Sequence, residues 1–156
     1  MSTPRTFREW AEQKAATEGE QARRLDEWTA AYDRLRDDIT RWMRDDGGEA
    51  VKIDPVPATL GERGIGTYVL TGLRIRIGDH SVNVSPVGRN VAGPIGTRDG
   101  SQQPEGLVYV TDGSRKYPLI RTVQDGRDVW YVAGEEGVAE RLTSHLFEKI
   151  LMDLMS

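Results

Sequence analysis

The sequence predicts an α+β fold in which helices at both ends of the chain flank a run of antiparallel strands. A long helical repeat of apolar residues comes first, a region of alternating apolar and polar residues fills the middle, and a second helical repeat ends the chain. Because no helices separate the strands, we expect a meander of about six antiparallel strands. The expected parts are 7–46 (helical), 50–133 (sheet) and 136–155 (C-terminal helix), within one domain of residues 1–156.

An apolar stripe in the N-terminal third is the clearest single pattern. Its members are spaced alternately by three and four residues, and most residues between them are charged, which is typical of an amphipathic helix. A capping box, Thr6 to Glu9, predicts a short helix before it, and Gly19 predicts a kink between the two. Gly47-Gly48 predicts the end of the long helix. The stripe consists of Leu25, Trp28, Tyr32, Leu35, Ile39 and Trp42.

Two partners are possible for this stripe. In a parallel coiled-coil dimer, none of the residue pairs that flank the seam would be oppositely charged, so the sequence favours packing on the protein's own sheet. The alternative is a homodimer through the long helix. In that case the interface residues would be Trp28, Tyr32, Leu35 and Trp42.

Alternating residues from Val51 predict a first strand, which Pro55 and Pro57 are expected to stop. A tight Gly78-Asp79 turn predicts a hairpin, and turn residues farther along predict a three-stranded meander. The later strands are expected at 68–77, 82–85, 107–111, 117–123 and 128–132.

The segment from Gly88 to Gly106 is the longest stretch without a regular pattern. Structureless loops of this length are uncommon in compact domains and are usually functional or disordered. After the meander, apolar residues at helical spacing predict the C-terminal helix, packed with the long helix on one face of the sheet. The apolar residues are Val138, Leu142, Leu146, Phe147, Ile150, Leu151 and Leu154.

Composition excludes several kinds of chemistry. The chain has no cysteine, which excludes disulfides, thiolate catalysis and cysteine zinc sites. His80 and His145 are too few for a histidine metal centre, and the adjacent acidic pairs do not form a calcium-loop pattern, so we expect neither metal nor cofactor. The first fourteen residues lack the apolar core of a secretory signal and no run is long enough to span a bilayer, so we expect a cytoplasmic protein without membrane contact.

The least ordinary feature is a group of arginines in the middle of the chain. The window 63–98 holds five arginines and a single acid, Asp79, in a chain of net charge −4. Arginine binds carboxylates and phosphates in a bidentate way, so these side chains are candidates for an anionic partner. The candidate binding residues are Arg74, Arg76, Arg89, Asn90 and Arg98.

No motif indicates catalysis, so we expect a protein that binds another macromolecule through an arginine-bearing sheet face and the loop 88–106. The favoured partner is an acidic protein. The chain would then act as an adaptor, a chaperone or an immunity protein. The alternatives are a nucleic-acid-associated subunit, whose binding would weaken steeply with salt, and an enzyme with its site beneath the loop 88–106.

Overall fold

The computed structural model describes residues 6–134 and 137–156, and it confirms the α+β class. A long helix α1 (Phe7–Gly47) and a single 3-10 turn (Gly48–Ala50) come first, and a short helix α2 (Ser144–Leu154) closes the chain. Nine strands lie between the helices: β1 (Val51–Glu62), β2 (Gly66–Ile77), β3 (His80–Gly88), β4 (Ile95–Thr97), β5 (Gly100–Gln102), β6 (Leu107–Thr111), β7 (Lys116–Gln124), β8 (Arg127–Val132) and β9 (Glu140–Arg141).

Helix α1 is continuous over 41 residues, so the predicted break at Gly19 is wrong. The hydroxyl of Thr6 caps the helix by accepting the backbone N–H of Glu9 at 3.1 Å, as the capping box predicts. Just before Gly19, the hydroxyl of Thr17 donates to the carbonyl of Gln13 at 2.9 Å, within the continuous helix. One glycine costs an existing helix only about 1 kcal/mol, which is too little to break it.

Seven strands form one antiparallel sheet in the order β1-β2-β3-β6-β7-β8-β9, and β4 and β5 form a separate hairpin. Short turns join β1 to β2, β2 to β3, β6 to β7 and β7 to β8, as expected for a meander, while the loop 88–106 connects β3 to β6. The seventh strand, β9, is the one that the sequence did not predict. Its two residues pair with Tyr131 and Val132 of β8.

The prediction that Pro55 and Pro57 end the first strand is also wrong. Strand β1 runs through both prolines, opposite Leu73 and Thr71 of β2. Because β1 lies at the edge of the sheet, alternate N–H groups have no neighbouring strand, and two prolines on that side remove no ladder hydrogen bond. The same prolines leave the open edge with fewer donors for pairing with another chain.

Another proline helps to fix α1 on the sheet. The register of β2 and β3 would place Pro86 opposite Thr71, but proline has no N–H to offer, and the pairing ends at Leu73. The carbonyl oxygen of Thr71 instead accepts the hydroxyl of Tyr32 at 2.8 Å and a guanidinium N–H of Arg36 at 3.4 Å, both from α1. Helix α1 thereby replaces a missing strand partner.

Both helices pack on one face of the sheet and form the core there. Trp28, Tyr32 and Ile39 are fully buried, and the ring of Trp42 lies 6.0 Å from that of Phe147 on α2. The stripe on α1 therefore packs on the protein's own sheet. The N-terminal part of the helix, residues 7–19, is solvent-exposed except at the half-buried Ala11, and we call it the arm.

The loop 88–106 contains structure that the sequence did not predict. Its β4–β5 hairpin lies over the face of the sheet opposite the helices, where Tyr131 donates a hydrogen bond to Asp99. Ile120, Thr122 and Tyr131, which point to that outer face, are at most 7% exposed. The outer face is thus covered at one end and open at the other.

The predicted start of the C-terminal helix at 136 is wrong, because α2 begins at Ser144. The hydroxyl of Thr143 caps it by accepting the N–H of Leu146 at 3.1 Å. Before the cap the backbone is extended: Ala139 donates to the carbonyl of Gly96, and Leu142 to that of Trp130, both at 2.9 Å. Glu135 and Glu136, expected at the helix N-terminus, lie outside the described residues.

Candidate functional site

The open part of the outer face carries a row of polar side chains that crosses four strands. Arg74 of β2 pairs with Asn83 of β3, Asn83 with Thr111 of β6, and Thr111 with Lys116 of β7. Residues joined in this way point to the same face of a sheet, and strands lie about 4.8 Å apart. The backbones of Arg74 and Lys116 are therefore about 14 Å apart.

A second row, two residues along the strands, adds two more bases. Arg76 of β2 pairs with Lys52 of β1 on one side and with Ser81 of β3 on the other. All four basic side chains are exposed. Together they form what we call the basic face: Lys52, Arg74, Arg76 and Lys116.

The charges of the basic face are only partly neutralised. Asp54 Oδ2 lies 2.8 Å from Arg76 Nε in an ion pair whose two side chains are about half exposed. Arg74 Nε lies 3.4 Å from Asn83 Oδ1, and Lys116 Nζ lies 4.6 Å above the ring of Tyr109. Within the described ranges, no ion pair joins Lys52, Arg74 or Lys116 to a carboxylate. Three of the four cations are therefore available to an anionic partner.

Sequence reasoning found Arg74 and Arg76 but missed Lys52 and Lys116. Lys52 alternates with Val51 and Ile53, so the period-2 pattern did place it on an outward face. The missing information was strand register, which places residue 52 beside residue 76 and residue 116 in the same row as residue 74. Register cannot be read from one strand at a time.

The structure separates Arg89 and Asn90 from the basic face. The Arg89 side chain is 18% exposed, with Nη2 3.5 Å from Glu105 Oε1. Asn90 donates its backbone N–H to Glu62 Oε1 at 2.8 Å and its side-chain amide to the carbonyl of Arg63 at 3.0 Å. These contacts fasten the tip of the β1–β2 hairpin to the chain that leaves β3.

Arg98 lies in a cleft of about 430 Å³ between the β4–β5 hairpin and the start of α2. In this cleft Asp99 accepts hydrogen bonds from the Tyr131 hydroxyl at 2.7 Å and from Arg141 Nε at 2.9 Å. The hydrogen bond from Tyr131 and then the one from Arg141 lower the pKa of Asp99. Its carboxyl group therefore stays ionised near neutral pH and cannot serve as a proton donor. His145 lines the same cleft.

The candidate interface residues on α1 are enclosed by the molecule itself. Trp28 and Tyr32 are 0% exposed and Leu35 is 2% exposed, while Trp42 is partly buried against the core. A partner could reach the first three only if α1 left the sheet.

A buried arginine is the strongest charged feature that sequence reasoning missed. Arg121, on the core face of β7, is 2% exposed. Its Nε lies 2.8 Å from Asp128 Oδ1, and its terminal nitrogens lie 3.2 Å from Glu27 Oε1 and 3.1 Å from the carbonyl oxygen of Glu105. The side chain joins α1, β7, β8 and the end of the loop 88–106. Its register opposite Trp130 of β8 places it on the core face, and the sequence alone does not distinguish it from a surface arginine.

Comparison with known proteins adds no family assignment: no family model, curated protein or solved structure matches the chain. Among residues 6–134 and 137–156, no group of three or more histidine, aspartate or glutamate side chains is placed to hold a metal ion. No helix in this part of the chain is long and apolar enough to cross a membrane.

Proposed function

We propose that this chain is a protein-binding module whose basic face docks an acidic segment of a partner protein. The observation that carries the proposal is the register that places Lys52, Arg74, Arg76 and Lys116 in two adjacent rows on the sheet face opposite α1 and α2. Electrostatic complementarity of this kind guides association and selects the partner.

The spacing of the cations fits carboxylates on an extended segment. Arg74 and Arg76 are two residues apart on one strand, a separation of about 7 Å along the strand. Alternate residues of an extended acidic segment repeat at the same distance. Each guanidinium can hold a carboxylate through two parallel N–H bonds, which favours arginine over lysine at these positions.

One feature favours an acidic protein over a nucleic acid. Lys116 already covers the ring of Tyr109, so this ring does not offer a free face for a base to stack on.

The direct test measures binding of a fluorescent peptide with alternating glutamates by anisotropy. The variant Arg74→Glu/Lys116→Glu reverses two exposed charges without touching the core, so it is expected to fold normally. We expect its affinity for the peptide to fall at least tenfold, which corresponds to about 1.4 kcal/mol. The matched control is Lys14→Glu/Arg23→Glu, which changes the net charge by the same amount at two exposed positions of α1 and is expected to leave binding unchanged.

An oligonucleotide of the same charge, titrated in parallel, separates the two classes of partner. Tighter binding of the oligonucleotide, with a steep loss of affinity on adding salt, would contradict a protein partner and support the nucleic-acid alternative. Equal loss in the control variant would show that net charge alone, and not the basic face, controls binding.

A further inference from the structure

A cleft of about 540 Å³ lies where the C-terminal end of α1 meets the end of α2. Met43, Met152 and Met155 line it, together with other apolar side chains, and Asp46 and Glu148 lie on its wall. Methionine is flexible and makes favourable contacts with aromatic rings, so such a lining adapts to an apolar ligand. The volume is in the range of pockets that hold ligands.

One carboxyl oxygen of this cleft lacks a donor. Glu148 Oε2 is buried and has no hydrogen-bond partner within the described part of the chain. Burial first, and then the hydrogen bond and charge of Asp46, raise the pKa of Glu148, while His145 acts in the opposite direction. A cation placed between the two carboxylates would satisfy the orphaned oxygen and remove their repulsion. The cleft therefore fits an apolar group that carries a guanidinium or ammonium.

The other end of α1 carries groups of this kind. On the arm, Phe7 is 80% exposed and Trp10 is 48% exposed, and their ring centroids lie 5.7 Å apart. Arg8 lies between them in sequence and is exposed. Two large aromatic side chains in solvent forgo the free energy that burial would give them.

The tip of the arm cannot reach the cleft of its own chain. Phe7 and Met43 lie in one continuous helix, which rises 1.5 Å per residue and so separates them by about 54 Å. A tip that fills the cleft must come from another molecule.

We propose that the cleft at the end of α1 binds the N-terminal tip of α1 from a second copy of the chain. Phe7 and Trp10 pack against the methionines, and Arg8 donates to Asp46 and Glu148. Since tip and cleft lie at opposite ends of one long helix, two copies with antiparallel α1 helices make both contacts at once. That arrangement is a closed two-fold dimer, the commonest symmetry of homo-oligomers.

Cross-linking tests the contact directly, because the natural chain has no cysteine. The variant Ala11→Cys/Ser156→Cys places one thiol behind the arm tip and one at the cleft. Under mild oxidation we expect a covalent dimer. The matched variant Ala11→Cys/Ser114→Cys, with its second thiol in the β6–β7 turn, is expected to stay monomeric. Equal cross-linking of both variants, or of neither, would overturn the proposal, and a ladder of larger products would overturn the two-fold arrangement.

Sedimentation equilibrium measures the strength of the association. We expect Phe7→Ala/Trp10→Ala to raise the dimer dissociation constant at least tenfold. Arg8→Glu should act in the same direction, and Arg8→Glu/Glu148→Arg should restore association by exchanging the charges. Val69→Ala removes part of another exposed apolar side chain and is expected to have no effect. A wild-type protein that stays monomeric at the highest concentrations reached would refute the inference. So would a dimer whose dissociation constant is unchanged by the arm substitutions.

Discussion

Replacing Arg121 by methionine tests how the fold holds its one fully buried cation among the described residues. Methionine fills a similar volume but leaves Asp128 Oδ1 and the Glu105 carbonyl oxygen without the arginine N–H groups. Removing one partner of a buried ion pair typically costs about 3–5 kcal/mol. Glu27 is 38% exposed and can be rehydrated, and Asp128 keeps Arg34, so we expect the lower end, about 3 kcal/mol.

Equilibrium unfolding in urea, followed by tryptophan fluorescence, measures this change. For a chain of this length the expected loss corresponds to a fall in Tm of about 6–12 °C. Arg34→Met is the control, because its 61% exposed side chain pairs with the same Asp128 and should cost at most about 1 kcal/mol. Equal losses of stability in Arg121→Met and Arg34→Met would show that the network around Arg121 does not contribute the stability expected of a buried ion pair.

Three further changes test the packing of α1 and the loop 88–106. Gly106→Ala would place a Cβ 2.3 Å from Cζ3 of Trp28, so we expect thermal unfolding to show a loss of about 1–3 kcal/mol; an unchanged Tm would contradict the close approach. Tyr32→Phe removes the donor to the Thr71 carbonyl and should cost about 1 kcal/mol in urea unfolding, and a neutral result would mean that water replaces the hydroxyl. The lowered pKa of Asp99 contributes stability above the pKa of the unfolded state, and this is lost as pH falls through the folded value. Unfolding of wild type and Asp99→Asn between pH 2 and 7 should therefore give a difference that shrinks in acid, and a constant difference would contradict the linkage.

The sequence predicted the elements whose signals are local. The stripe from Leu25 to Trp42 repeats at helical spacing because one side of α1 packs on the sheet, and period-2 alternation predicted the central strands because one face of each is buried. The stop assigned to Pro55 and Pro57 failed because proline is tolerated at an edge, and edge position is a property of the whole sheet. The helix start at 136 failed because Val138 and Leu142 continue the apolar spacing of α2 across extended backbone.

The candidate site was predicted only in part, for a related reason. Arg74 and Arg76 were recognised as outward-facing on one strand, but Lys52 and Lys116 join them through the register of five strands. In the sequence, Arg121 cannot be distinguished from the exposed arginines. Its burial depends on carboxylates from α1 and β8. Contacts between residues that are far apart in the sequence cannot be recognised from the residue type at one position.

The most direct test of the basic face is to titrate the glutamate peptide into ¹⁵N-labelled protein and follow the backbone amide resonances. We predict that chemical-shift changes are concentrated at Lys52, Arg74, Arg76 and Lys116, and at Asn83 and Thr111 between them. The resonances of α1 should not shift. Shifts centred instead on the cleft around Arg98 and His145, or spread evenly over the molecule, would contradict the assignment of the basic face as the binding surface.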